Sequence, residues 1–205
     1  MASVSRINGF RPVKHITGAP YNGQANVYFV PAANSDVIMV GDLVKLAGDA
    51  RSPTGVPTVA RHAGGATEAA VGVVVGILFS GVGDVQNVPP VTDLNTPVYR
   101  RASTDRYLLV SDSTDLVYEA QTSGATLATA DVGLNTGVSV SAGSTASGSS
   151  GMTIDLSSKA TTATLPLKLI GFPARPDNLI GDTYTSAYVT INNHQFAGGT
   201  GSSGV

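Results

Sequence analysis

Apolar and polar residues alternate with a period of two over short stretches of this chain, and Gly, Pro, Asn and Asp break the stretches apart. In DLVKL, Leu43 and Lys45 alternate against Val44 and Leu46, and in PLKLIGF, Leu167 and Leu169 alternate against Lys168. That period matches a strand with one face buried and the other partly solvated. Few windows place apolar residues at i, i+3 and i+4, and Gly or Pro interrupts most that do. The pattern predicts an all-β fold.

Residues 1–23 contain NGFRPVKHITGAPYNG, rich in turn formers and in residues that keep the backbone extended, and read as an extended N-terminal arm. Strands are expected at 24–30, ended by Pro31, at 37–40 and 43–46 on either side of Gly41 and Asp42, at 56–61 and at 71–77. Over 24–88 this spacing describes a small antiparallel β-barrel or β-tulip-like region. Beyond NVPPVTDLNTP a second β-rich region, 98–196, opens with VYRRA, RYLLVSD and LVYEAQ as strands and STD and DSTD as turns. Asp112 and Asp115 are therefore read as turn residues and not as a catalytic carboxylate pair. A nearly uncharged segment follows, and its Gly- and Ser-rich part, 141–151, reads as a flexible loop facing solvent. MTIDLSS, TLPLKLIGF and SAYVTINNHQF return to strand, PARPDNLIGDTY forms a long turn, and 197–205 is a flexible tail.

AVGVVVGILFSGVG, at 70–83, admits three readings: a phosphate cradle, a membrane span or a buried strand. GVVVGI lacks the Gly-Lys-Ser/Thr ending of a P-loop, and no helix follows it. The uncharged stretch between Glu68 and Asp84 is 15 residues long, whereas crossing a bilayer takes about 20. A closing barrel strand remains, with Gly72 and Gly76 allowing a bend or a close backbone approach.

Charged residues make up 13% of the chain, about half the usual share of roughly 25%. The surface is therefore built largely from Ser, Thr, Asn and Gly. A net charge of -2 offers no basic footprint, so nucleic acid is not expected as a partner. The basic residues near the N-terminus have no apolar run behind them, unlike a secretory signal, and no membrane association is expected. With no Cys in the sequence, stability must come from packing, backbone pairing or partner subunits.

Catalytic signals are weak. His15, His62 and His194 are isolated, with no second His or carboxylate at a metal-ligand spacing nearby. Ser and Thr are plentiful, but no G-x-S-x-G elbow occurs, and GSSG at 148–151 has the wrong spacing. No enzyme, cofactor or metal is expected.

NGFRPVKHITGAPYNGQANVYFVPA, VGDLVKL with GVPTV and VGVVVG, ASTDRYLLVSDS, and PDN with VTINNHQF together resemble the head-stabilising, or cement, proteins of short-tailed bacteriophages. The resemblance implies a virion protein made in the host cytoplasm that decorates the outside of an icosahedral capsid. There it would bridge adjacent major capsid protein subunits, as a homotrimer by preference and a dimer otherwise. It implies surfaces and no catalytic residues. The region after Val98 has no counterpart in the minimal decoration domain. Candidate capsid or subunit contacts are Phe10, Arg11, His15 and Tyr21 on the arm, with His194 and Phe196 near the other end. The alternative is a carbohydrate-binding β-sandwich using Tyr99, Tyr107, Tyr118, Tyr184 and Tyr188 as stacking platforms.

Overall fold

The computed structural model describes residues 3–78, 98–122, 124, 126–198 and 201–204. As expected, the fold is all-β, with eleven strands and two short 3-10 turns among the described residues. Strands β2 (Asn26–Val30), β3 (Leu43–Arg51), β4 (Val56–Arg61), β5 (Gly72–Leu78) and β6 (Arg106–Ser111) close into a barrel in the order β2-β4-β3-β5-β6. The others form an open six-stranded sheet: β1 (Arg11–His15), β7 (Leu116–Gln121), β8 (Asn135–Ser139), β9 (Thr153–Ala160), β10 (Leu167–Gly171) and β11 (Ser186–Ile191), in the order β1-β7-β11-β10-β8-β9.

The barrel differs from the expected one in two ways. Its last strand, β6, comes from beyond residue 98, and β2 meets β4 in parallel at Phe29 and Thr58. Closure requires a partner on both sides of every strand, and β6 supplies it by pairing with both β2 and β5. The expected boundary between 88 and 98 and the end of the 70–83 run lie almost wholly outside the described residues.

Two cores share one wall. The barrel interior packs Tyr28, Val30, Ile38, Val44, Val59, Val71, Val74, Leu108 and Val110. The sheet core gathers Phe10, Leu116, Tyr118, Leu127, Met152, Ile154, Leu167, Val189 and others, including three residues from the barrel side: Leu43, Ala70 and Val73. Successive residues of a strand point to opposite faces. Leu43 and Val44, Ala70 and Val71, and Val73 and Val74 therefore send one side chain to each core. This is the physical content of the AVGVVV run: it is apolar at consecutive positions because both of its faces are buried. Gly72 is required there, since a Cβ would stand 2.2 Å from the Ser111 oxygen on β6.

Three expected loose segments are built into the fold. The N-terminal segment is no free arm: Phe10 is 1% exposed, residues 11–15 pair with β7, and Arg6 N donates to Gln121 Oε1 at 2.7 Å. Its Phe10 finds a complete core within the same chain, while Val4 and Ile16 stay exposed. The 141–151 loop exposes residues 141, 142 and 144–147 to solvent, as expected, but Gly148, Ser150 and Gly151 are buried, and the Val40 carbonyl accepts from Ser150 N at 2.9 Å. In the tail, residues 201–204 dock on the turns around 134 and 162, where Gly204 N donates to the Thr161 oxygen at 3.0 Å and Asn135 Nδ2 to the Ser202 oxygen at 2.7 Å. The expected strand in VYRRA reduces to a single bridge between Arg100 and Ile38. Arg100 is fully buried, and its guanidinium donates to the carbonyls of Pro31, Asn34, Asp36 and Thr104, closing one end of the barrel.

Asp42, expected to be turn punctuation, is a fully buried carboxylate that ties three segments together. It accepts from Met39 N at 2.8 Å, Arg61 Nε at 3.1 Å and Ser150 Oγ at 2.6 Å. Beside it, Gly9 and Gly41 both take positive φ and cross so closely that a Cβ on Gly9 would lie 2.4 Å from the Gly41 oxygen.

Candidate interface

Residues 8–26 run along the seam between barrel and sheet, and two grooves open on this line with Tyr21 in the lining of both. The first, of about 640 Å³, is lined by His15, Tyr21, Asn26, Asp112 and Phe196 among others. The second, of about 480 Å³, is lined by Phe10, Arg11, Pro12, Tyr21, Val40 and Val74 among others.

β1 positions the near wall. Its register with β7 sets His15 opposite Leu116, so the imidazole reaches the turn before β7, where Nδ1 lies 3.0 Å from Asp115 Oδ2. Ser113 Oγ donates to the other oxygen of Asp115 at 2.6 Å. The Ser113 hydroxyl and then the His15 ring hold this carboxyl below its ordinary range. After β1 the chain turns back: His15 N donates to the Ala19 oxygen and Tyr21 N to the Val13 oxygen. Tyr21 is half-buried, and burial raises its phenol pKa.

Asp112 forms the far wall. Asn26 Nδ2 donates to both carboxylate oxygens at 3.0 Å, and the Tyr28 hydroxyl donates to Oδ2 at 2.6 Å. Burial, reinforced by that carboxylate, pushes the Tyr28 phenol strongly upward. Phe196 completes the groove with its ring 54% exposed. Its backbone is fixed because Phe196 N donates to His194 Nδ1 at 3.1 Å. That bond places the proton of the neutral ring on Nε2, which is buried near the backbone of Asp112 and Val71 without a hydrogen bond of good geometry. Burial lowers the His194 pKa, against the opposing pull of the Asp112 charge.

The structure thus brings His15, Tyr21 and Phe196 to one groove and places Arg11 on the next. His194 and Phe10 are each 1% exposed in this chain, although Phe10 also lines the second groove. His194 caps a short 3-10 turn after β11, and Phe10 belongs to the sheet core. Asn26, Asp112, Asp115 and Val40 join the site without having been singled out for it. Asp112 lies 86 and 84 positions from its partners Asn26 and Tyr28, so no local motif announces it.

Of the five tyrosines named as sugar platforms, Tyr99, Tyr184 and Tyr188 are half-buried. Tyr107 and Tyr118 are buried, with Tyr118 Oη donating to the Ser111 oxygen at 2.9 Å, and the Tyr188 ring lies under Lys14 Nζ at 5.2 Å. Among the described residues, no three His, Asp or Glu side chains are grouped to hold a metal ion, and no helix is long and apolar enough to cross a membrane. No family model, curated protein or solved structure matches the chain.

Proposed function

We propose that this chain is a non-enzymatic capsid decoration protein that binds the outside of an icosahedral bacteriophage shell and cements neighbouring major capsid protein subunits. The observation that carries the reading is the seam: both cores are packed, yet Phe196 at 54% exposure lines the first groove with Tyr21, and Ile16, next in the chain to His15 of that lining, is 59% exposed. Exposed apolar side chains gathered beside concave, structurally fixed walls are what a protein partner uses. The sparsely charged surface suits a subunit packed among neighbours. Binding only the assembled lattice would stabilise the shell by mass action. A homotrimer suits a three-fold lattice position, and a dimer is the second choice.

Mass spectrometry of purified virus particles should find the chain at a fixed ratio to the major capsid protein, and purified chain should sediment with assembled shells but not with free capsid subunits. Equal binding to both, or absence from particles, rejects the reading. Light scattering on the free protein reports whether the trimer forms before docking.

A further inference from the structure

A separate cleft of about 180 Å³ opens where residues 4–11 cross β7 and the turn before β11. Its lining carries three arginines, Arg6, Arg11 and Arg175, and two carboxylates, Glu119 and Asp177. Arg175 grips both oxygens of Glu119, with Nη2 at 2.5 Å from Oε1 and Nη1 at 3.2 Å from Oε2, while Arg6 Nη1 donates to Asp177 at 2.9 Å. Arg11 stands directly opposite Glu119 in the β1–β7 register. That carboxylate is already taken, and among the described residues Arg11 has no ion pair or side-chain hydrogen bond. The cleft therefore holds one unmatched positive charge beside an exposed apolar side chain, Val4 at 60% exposure.

We propose that this cleft binds one carboxylate of a partner protein, an Asp or Glu side chain on an extended segment, with Arg11 as its principal contact and Arg175 beside it. One carboxylate restores alternation of charge, three against three. A phosphate dianion would overfill the site and face Glu119 and Asp177 at close quarters. The volume also suits a single side chain, since pockets for whole small molecules run to about 300–1,000 Å³. Guanidinium offers a planar fork that matches a carboxylate in two bonds. The cleft shares Asn8 and Arg11 with the second groove, so the inference names the chemistry of a partner on the proposed binding face. It is tested without any shell.

The test is an NMR titration of the full chain, read at the arginine Nε–H resonances, with a blocked five-residue peptide Gly-Val-Glu-Val-Gly, its Gln counterpart, and inorganic phosphate. The Glu peptide should shift Arg11 and Arg175 and the Gln peptide should not. Arg11→Gln should weaken binding at least fivefold, while Arg101→Gln, which removes a charge elsewhere, should change it less than twofold. Equal binding of the Gln peptide, equal loss in the two variants, or no shift at all overturns the proposal. Tighter, Arg11-dependent binding of phosphate overturns the carboxylate assignment. A Glu-selective result together with failure to bind capsids upholds the cleft and removes the shell as its partner.

Discussion

The barrel and the sheet solve the same problem differently. Every barrel strand is paired on both sides, so the barrel has no edge from which another chain could extend it. The sheet ends at β1 and β9 and shields each end with its own residues. At β9, Asp155 Oδ1 accepts from Ser157 N at 3.0 Å and from Ser157 Oγ at 2.7 Å. At β1, residues 16–21 fold back along the strand, and the covering is incomplete: Ile16 is exposed, the Arg11 guanidinium has no ion pair among the described residues, and Tyr21 stands between two grooves. Closure leaves a region little to offer a partner, whereas an edge under a partial cover concentrates what remains unmatched.

The sharpest way to break this division is at the polar tie between its halves. Asp42→Ala leaves the Arg61 guanidinium and the Ser150 hydroxyl without their carboxylate and should cost about 3–5 kcal/mol, read by urea unfolding. Next come the two cores. Leu43→Ala on the sheet side of the wall and Leu108→Ala in the barrel should each cost about 2–5 kcal/mol, and each should shift one common transition. Separate melting of barrel and sheet amides in hydrogen exchange would mean that the shared wall does not couple them.

Acid comes third. His62 and His194 are buried and both have pKa values lowered by desolvation. The folded state therefore resists their protonation, and stability is full above the unfolded pKa of about 6.5. Below it the unfolded chain takes up protons first. Stability should then fall by at most about 1.4 kcal/mol per pH unit for each histidine, until the folded rings also protonate. A flat pH profile between 6.5 and 5 contradicts this. The carboxyls of Glu68 and Asp131 are depressed by contacts with lysine and backbone N–H groups, after burial working the other way. Their contribution is lost only at lower pH, as it falls through the folded values. The smallest stability effect belongs to Phe196→Ala, within about 0.5 kcal/mol because the ring is exposed, together with loss of sedimentation with shells. Unchanged sedimentation removes Phe196 from the interface.

Alternation and turn chemistry made most strands legible: 56–61 coincides with β4, and 71–77 differs from β5 by one residue at each end. β8 was not legible, because its Asn135 and Thr136 are polar yet buried. Asn135 Nδ2 donates to the carbonyls of Thr162 and Ser202 and the Thr136 hydroxyl to that of Asp155, three other places in the chain, while the buried Asn135 Oδ1 has no partner among the described residues. Composition gave no sign of the buried residues at the end of the 141–151 loop for a related reason. Gly and Ser there serve close packing against backbone, as at Gly151, where a Cβ would meet the Ala142 oxygen at 2.3 Å. Arg11, His15, Tyr21 and Phe196 could be picked as polar or aromatic residues outside strong strand patterns. The groups that face them, Asp112, Asp115, Glu119 and Arg175, could not, because only the tertiary fold brings them there.

The pairing of β1 with β7 also sets an order of events at the ribosome. His15 and its partner Asp115 are 100 positions apart, and synthesis at about 5–20 residues per second separates their emergence by roughly 5–20 s. Throughout that interval Phe10 has no core to enter and β1 no strand to join. The N-terminal segment is then the unattached arm that its sequence describes, until β7 emerges and recruits it.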